Sequence, residues 1–295
     1  MIPTRRLGDQ QVSAVGMGSM TLTQTLDKDP AQGVQTVHAA LDAGITLFDT
    51  ADSYGPTGEM GVNELALIRA LRTRPDALER VVIATKGGHT RGPNATWWVD
   101  GSPKHIASAA RASLQRLGLE ALPLYQLHRP DVRVPFADSL GALRALVDDG
   151  IALRVGISNV DHDQLDTAIE ILGDRLVSVQ NEYSPLERSN EAILRLCEQR
   201  GITFLAWGPL GGMRAAKGLG AAAPAFQQAA ERRGISVQQM AVAWLLSISD
   251  AIIPIPGASR PESIQSSVGA ASIELDERER EELAVPPVPT EGEQP

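Results

Sequence analysis

The sequence predicts a closed (β/α)8 barrel, a TIM barrel with a short N-terminal extension and extended βα loops. Three observations lead there. Short, β-branched apolar runs alternate with longer stretches at helical spacing from near the N-terminus to about residue 270, the pattern of parallel βαβ units. There are eight such runs, and eight units over roughly 250 residues fill one closed barrel. The open-sheet alternative, a dinucleotide-binding doubly wound fold, requires G-x-G-x-x-G after its first strand. Gly16-Met17-Gly18 begins that pattern, but Thr21 stands where the third glycine belongs.

Taken in order, the strands are expected at Val12–Met17, Thr46–Asp49, Val81–Thr85, Leu122–Leu127, Leu153–Ser158, Ser178–Glu182, Thr203–Trp207 and Ala251–Ile255. Helical spacing covers Val34–Leu41, Ile106–Leu117, Leu140–Val147, Leu165–Leu172, Ala192–Arg200 and Val237–Leu246. Punctuation agrees: Ser102-Pro103 opens one helix and Gly118 closes it, Ser189 is expected to cap another, and Gly44, Gly150 and Gly201 each separate a helix from the next strand. Segments 87–103 and 208–236 exceed a plain connector and are expected to be loops over one face. Leu275–Leu283 is expected as a last, highly charged helix. Residues 1–284 then make one barrel domain with a terminal helix, and 285–295, rich in proline and acid, a disordered tail.

Composition narrows the function. With 27 basic and 36 acidic residues the formal net charge is −9, and no long basic stripe runs along the chain. Nucleic acid and anionic membrane both require a positive footprint, so neither is expected as a partner. The start, MIPTRRLGDQQ, has no apolar h-region, and no stretch reaches the roughly 18 apolar residues of a membrane helix. A lone Cys197 forms no intrachain disulfide and suits a reducing compartment. The expectation is a soluble, cytoplasmic protein. Five histidines and one cysteine match no zinc spacing, so no metal site is expected. Nothing in the chain specifies an oligomeric state.

In a closed barrel the chemistry lies at the carboxyl ends of the strands. Polar residues there are Ser19 after strand 1, Asp49 and Tyr54 after strand 2, Lys86 after strand 3, and His128 after strand 4; strands 5 to 7 add Ser158, Asn159, Gln180, Asn181 and Trp207. Singly, Asp49 reads equally well as a strand-end cap and Lys86 as a snorkelling surface lysine. Jointly they form a set that polarises a carbonyl and delivers a proton. A lysine favours the phenolate of a nearby tyrosine and lowers its pKa, and an aspartate holds that lysine charged. Lysine is sparse, only Lys28, Lys86, Lys104 and Lys217, and Lys86 alone sits beside an acid and a tyrosine.

The blocks LFDTADSYG (47–55), ATKGG (84–88), LYQLHRPD (124–131), VGISNV (155–160), VQNEYSPLER (179–188) and LAWGPLGG (205–212) resemble, in order, the signatures of the aldo-keto reductase family, of the bacterial NADP-dependent type. The resemblance runs from about Arg6 to Ala270. It implies reduction of an aldehyde or ketone, a small-molecule carbonyl substrate, by hydride from NADPH. Tyr54 resembles the general acid, Lys86 its partner, Asp49 the partner of that lysine, and His128 the residue that orients the carbonyl. For NADP(H) it implies Gly18, Ser19 and Met20 at the end of strand 1; Ser158, Asn159 and Gln180 at the carboxamide; and Trp207 where an aromatic, commonly tyrosine, stacks on the nicotinamide. Leu210 and Gly212 match the pyrophosphate loop, and Gly257, Ser259 and Arg260 the adenosine end. The sequence departs from the family at Ser263, where an arginine or glutamine often stands, and at Ser266 and Ser267, in place of the usual Glu-Asn that grips adenine.

Trp97 and Trp98 are candidates for the substrate mouth, equally readable as rim cover. Tyr183 and Trp244 read as packing, Cys197 as buried filler, and Arg129 as a rim ion pair in preference to a contact for an anionic substrate. His38, His89, His105 and His162 lack a partner pattern and read as solvent-facing or structural. Two rival functions use the same fold: a cofactor-loaded regulatory or sensor subunit, and a Schiff-base aldolase with Lys86 as nucleophile.

Overall fold

Eight parallel strands curl into a barrel whose ends meet. The computed structural model describes residues 2–286 apart from Leu26, Pro93 and Ala95, with the backbone alone at Met213 and Arg214. Of the expected tail over 285–295, residues 287–295 lie outside the described residues. The strands are β1 (Thr4–Leu7), β2 (Gln10–Ser13), β3 (Met17–Gly18), β4 (Leu47–Asp49), β5 (Val82–Gly87), β6 (His89–Arg91), β7 (Trp97–Val99), β8 (Leu124–Leu127), β9 (Val155–Ser158), β10 (Leu176–Glu182), β11 (Thr203–Trp207) and β12 (Ile252–Pro254). The barrel order is β3-β4-β5-β8-β9-β10-β11-β12. The seam closes by hydrogen bonds from Gly16 N to Pro254 O and Gly18 N to Pro256 O, both 3.0 Å. Gly18 belongs there for a steric reason: a Cβ on it would sit 2.8 Å from the Ile255 carbonyl oxygen.

Side chains alternate along each strand. Leu47, Val82, Ala84, Leu124, Val177, Leu205, Ile253 and Ile255 pack inside the barrel, and the β1-β2 hairpin adds Leu7 and Val12 to the same cluster. Most of these lie at or near the amino ends of their strands, so the hairpin plugs that end of the barrel and leaves the carboxyl ends as the mouth. The alternate residues, among them Phe48, Ile83, Tyr125, Ile157, Val179 and Phe204, pack outward into the larger cluster shared with the helices.

The helices are α1 (Pro30–Asp42), α2 (Val62–Arg72), α3 (Ala77–Arg80), α4 (Pro103–Leu117), α5 (Phe136–Asp148), α6 (His162–Leu172), α7 (Glu191–Arg200), α8 (Gly212–Ala215), α9 (Leu219–Ala222), α10 (Pro224–Arg233), α11 (Val237–Ile248), α12 (Pro261–Gly269) and α13 (Glu277–Ala284). Local chemistry sets their ends. Ser102 Oγ accepts from His105 N at 3.3 Å with Pro103 in the first turn, and Gly118 closes α4 in the left-handed region at φ 60°. Asp161, Ser236 and Asp276 each complete a capping box.

Four expectations are corrected. The run Val12–Met17 is not one strand: Ser13 ends the hairpin, its Oγ donates to Val15 O and accepts from Thr46 N, and the barrel strand starts only at Met17. An apolar run does not mark where a plug ends and a barrel strand begins. Segment 208–236 is largely helical, because Phe226, Ala229 and Ala230 give α10 a buried face behind Pro224. Segment 87–103 carries the β6-β7 hairpin. Ser189 is no cap: Asn190 precedes α7 and makes no side-chain cap bond. Among the described residues no helix is long and apolar enough to cross a membrane.

Candidate active site

At the mouth the alternation of β4 and β5 that points Leu47, Val82 and Ala84 inward also points Asp49 and Lys86 inward, one layer higher. Both are buried, as are Tyr54 and His128. Lys86 Nζ donates to Asp49 Oδ2 at 2.7 Å, to the Thr50 carbonyl at 2.9 Å and to the Tyr54 hydroxyl at 3.2 Å. Gln180 Nε2 donates to the other Asp49 oxygen at 2.8 Å. The ammonium therefore has all three donors used and the carboxylate both oxygens. The Tyr54 and His128 rings meet edge-to-face, centroids 5.5 Å apart and planes at 81°.

Electrostatics follow from burial and these contacts. Burial and, secondarily, Asp49 raise the Tyr54 pKa above its ordinary 10.0, although Lys86 pulls the other way. The expected lowering of Tyr54 is thus corrected: Lys86 does favour the phenolate, but desolvation wins, and the tyrosine holds its proton at neutral pH. Burial opposes the charge on Lys86, yet Asp49 and Tyr54 together outweigh it and raise its pKa. A Schiff-base nucleophile needs a free amine, so this environment argues against the aldolase alternative. Burial, then the charges of Lys86 and Arg129, hold the His128 pKa well below 6.5, so its ring is neutral.

The loop bearing Tyr54 is fixed by residues the sequence reading did not single out. Asn63, fully buried at the start of α2, donates through Nδ2 to Ser19 O at 2.8 Å and Thr23 Oγ1 at 2.7 Å, and accepts from Thr50 Oγ1 at 2.7 Å. Its own N–H reaches Tyr54 O at 3.2 Å. Beside it Glu64 accepts from Thr85 Oγ1 and Arg116 Nε, each at 2.6 Å. Asp52 is buried near Glu64, and both effects push its carboxyl well above the ordinary carboxylate range. The sequence signal was the polar pair Asn63-Glu64 entering a helix straight after a glycine-rich loop.

His89, expected as solvent-facing or structural, packs beside the cluster. Its ring lies 4.4 Å from that of His128 and 5.3 Å from that of Trp97. Alternation along β6-β7 puts His89, Arg91 and Trp97 on one face and Thr90 and Trp98 on the other. Of the two tryptophans, then, Trp97 packs beside His89, and Trp98 hydrogen-bonds Thr96 Oγ1 instead. Arg129 makes no ion pair among the described residues, which corrects that expectation. Tyr183 stacks on Trp244, and Cys197 is fully buried, both as packing.

The remaining residues fit a large polar ligand. Ser158 Oγ donates to Gln180 O at 2.6 Å, and Asn159, in the left-handed region at φ 58°, donates to His128 O at 2.9 Å and Ser158 Oγ at 3.0 Å. Ser19 Oγ, Thr21 Oγ1 and Trp207 Nε1 are buried with no hydrogen-bond partner among the described residues. Met20 begins a 3₁₀ turn directly after Ser19. Gly208, Gly211 and Gly212, flanking Leu210, all have positive φ, and a Cβ on Gly212 would meet open space. Gly257 bridges Gly18 across the seam, Ser259 is half-buried, and exposed Arg260 precedes α12 with no ion pair among the described residues. Ser267 turns back to Ser263 O at 3.1 Å, so that hydroxyl is occupied within the helix.

Comparison with known proteins gives the family and the fold. The chain is 36% identical over 277 residues to an uncharacterized oxidoreductase of Schizosaccharomyces pombe, covering 92% of this chain and 86% of that one. Among solved structures it is similar to a glycerol dehydrogenase from Gluconobacter oxydans, with a TM-score of 0.84, 28% identity and 99% of each chain covered. An aldo/keto reductase from Klebsiella pneumoniae in complex with NADP and acetate matches with a TM-score of 0.79 and 26% identity over 99% of this chain and 98% of that one. The model of the aldo/keto reductase family matches residues 14–284, and the chain belongs to that family of oxidoreductases.

Proposed function

We propose that this protein reduces an aldehyde or ketone to an alcohol with NADPH, Tyr54 donating the proton. The observation that carries the reading is the buried chain Asp49–Lys86–Tyr54, with contacts of 2.7 and 3.2 Å, meeting the ring of His128. Bound NADPH supplies the hydride. Tyr54, protonated at neutral pH, holds the proton that the developing alkoxide requires. Once it is given up, Lys86 Nζ at 3.2 Å stabilises the phenolate left behind, and Asp49 keeps that ammonium charged. Neutral His128 acts as a hydrogen-bonding group for the substrate oxygen, so no charge change on the imidazole is needed.

Support for the cofactor comes from the orphaned Ser19, Thr21 and Trp207 atoms, the open backbone at Gly212 and Arg260, without an ion pair among the described residues, which suits a 2′-phosphate. The Klebsiella relative was crystallised with NADP. Ser158, Asn159 and Gln180 would hold the cofactor's carboxamide, and the Trp207 ring would offer a stacking face. The test is a panel of aldehydes and ketones with NADPH and, separately, NADH. Turnover with NADPH, and a weaker rate with NADH that Arg260→Ala equalises, is expected. Failure of every carbonyl to oxidise bound NADPH overturns the reading.

A further inference from the structure

The charges of Lys86, Arg91 and Arg129 all act on the imidazole of His89, and among the described residues one of the three is ion-paired. Lys86 is neutralised by Asp49 at 2.7 Å. Arg91 lies with its guanidinium 3.9 Å from the centre of the Trp97 ring and donates to the backbone carbonyls of Gly55 at 3.2 Å and Thr57 at 3.3 Å. No carboxylate pairs with it among the described residues, and its Nη1 is buried without a partner. Arg129 directly follows His128, is exposed, and makes neither an ion pair nor a side-chain hydrogen bond among the described residues.

The acids in reach are already engaged. Asp131 is held by Arg133 at 3.0 Å and by Gly101 N at 3.1 Å. Asp100 accepts from Ser102 N at 2.9 Å and lies 3.8 Å from His105. Asp52 is buried, and burial and Glu64 raise its carboxyl well above the ordinary carboxylate range. Burial, then Arg129, Lys86 and Arg91, draw the His89 pKa down to about 4, and no acid offsets them. In a chain of net charge −9, the mouth beside His128 thus carries two arginines without an ion pair among the described residues. The groups suited to cofactor phosphates, Gly212 and Arg260, follow the seventh and eighth barrel strands, whereas Arg91 and Arg129 follow the third and fourth, next to Tyr54 and His128.

Resting on the reductase reading above, we propose that the substrate is a carbonyl compound that also carries an anionic group, a carboxylate or a phosphate, bound by Arg129 with Arg91 behind it. Guanidinium forks match both oxyanions, and a charged mouth concentrates such ligands. The walls from Arg91 through Trp97 and His89 to His128 are linked by distances of 3.9, 5.3 and 4.4 Å, so an anion at the rim and a carbonyl at Tyr54 belong to one continuous surface.

Matched substrate pairs test this with the intact protein and NADPH: benzaldehyde against 4-carboxybenzaldehyde for the carboxylate, and glyceraldehyde against glyceraldehyde 3-phosphate for the phosphate. The expected result is a kcat/KM ratio of at least about tenfold for the anionic member of one pair or both, which tells the two anions apart. Arg129→Gln should collapse that ratio, and added salt should shrink it, because Arg129 is exposed. Ratios of one or below in both pairs overturn the proposal while leaving the reductase intact. If no substrate turns over, the reductase reading fails, and calorimetric titration of benzoate against benzamide with NADP present still decides the anion site. Tighter binding of benzoate, lost in Arg129→Gln, supports it, and equal binding refutes it.

Discussion

Lys86→Met is the most revealing single change, because the structure fixes both its cost and its cure. The ammonium is fully buried, and its removal deletes bonds of 2.7, 2.9 and 3.2 Å. The Asp49 side chain, 4% exposed, would be left with one partner, Gln180 Nε2 at 2.8 Å. A buried carboxylate stripped of its cation costs about 3–5 kcal/mol, whereas replacing both members of such a pair by neutral groups is often nearly neutral. Lys86→Met should therefore lower the unfolding free energy by about 3–5 kcal/mol, and adding Asp49→Asn should restore at least about 2 kcal/mol of it. Urea unfolding at neutral pH reads the stability and NADPH oxidation the activity, which should stay lost in both variants for want of a cation beside Tyr54. A Lys86→Met loss below about 1 kcal/mol, or a double variant no more stable than the single, would refute the view of the pair as a charged, desolvated unit.

Other consequences are direct. Because the His128 pKa lies well below 6.5 and that of Tyr54 above 10.0, kcat/KM for reduction should be flat between those values; an acid limb centred near 6.5 would show that the imidazole titrates. Arg133 holds Asp131 down at about 2, so this carboxylate stabilises the fold above its ordinary value of 3.8 and stops doing so as pH falls toward 2. Asp131→Asn should accordingly lower the urea midpoint at pH 7 and show a gap that narrows below pH 4. Burial pushes the Cys197 thiol up to about 12, so a disulfide reagent should leave the native protein unlabelled and react fully in denaturant.

What the sequence made legible follows its physics. The barrel strands announce themselves through apolar runs between a glycine and a polar end, and those ends carry the buried polar cluster. Asp49, Tyr54, Lys86 and His128 could be chosen as a set because strand geometry alone brings them to one mouth. His89 was missed because its place depends on a hairpin: only the pairing of β6 with β7 carries it back against His128, and only parity along β7 separates Trp97 from Trp98. The net charge on Tyr54 was likewise out of reach, since spacing shows which groups meet but not how completely water is excluded from them. Arg129 illustrates the same limit, because an arginine beside a histidine reads alike whether or not an acid folds next to it.

The central claim is that Tyr54 supplies the proton. A single-turnover measurement with NADPH pre-bound, comparing wild type with Tyr54→Phe, tests it most directly, since phenylalanine keeps the ring packed against His128 and removes the hydroxyl alone. The expected result is unchanged NADPH binding with hydride transfer slowed by about a hundredfold to ten-thousandfold. Hydride transfer at the wild-type rate in Tyr54→Phe would contradict the account.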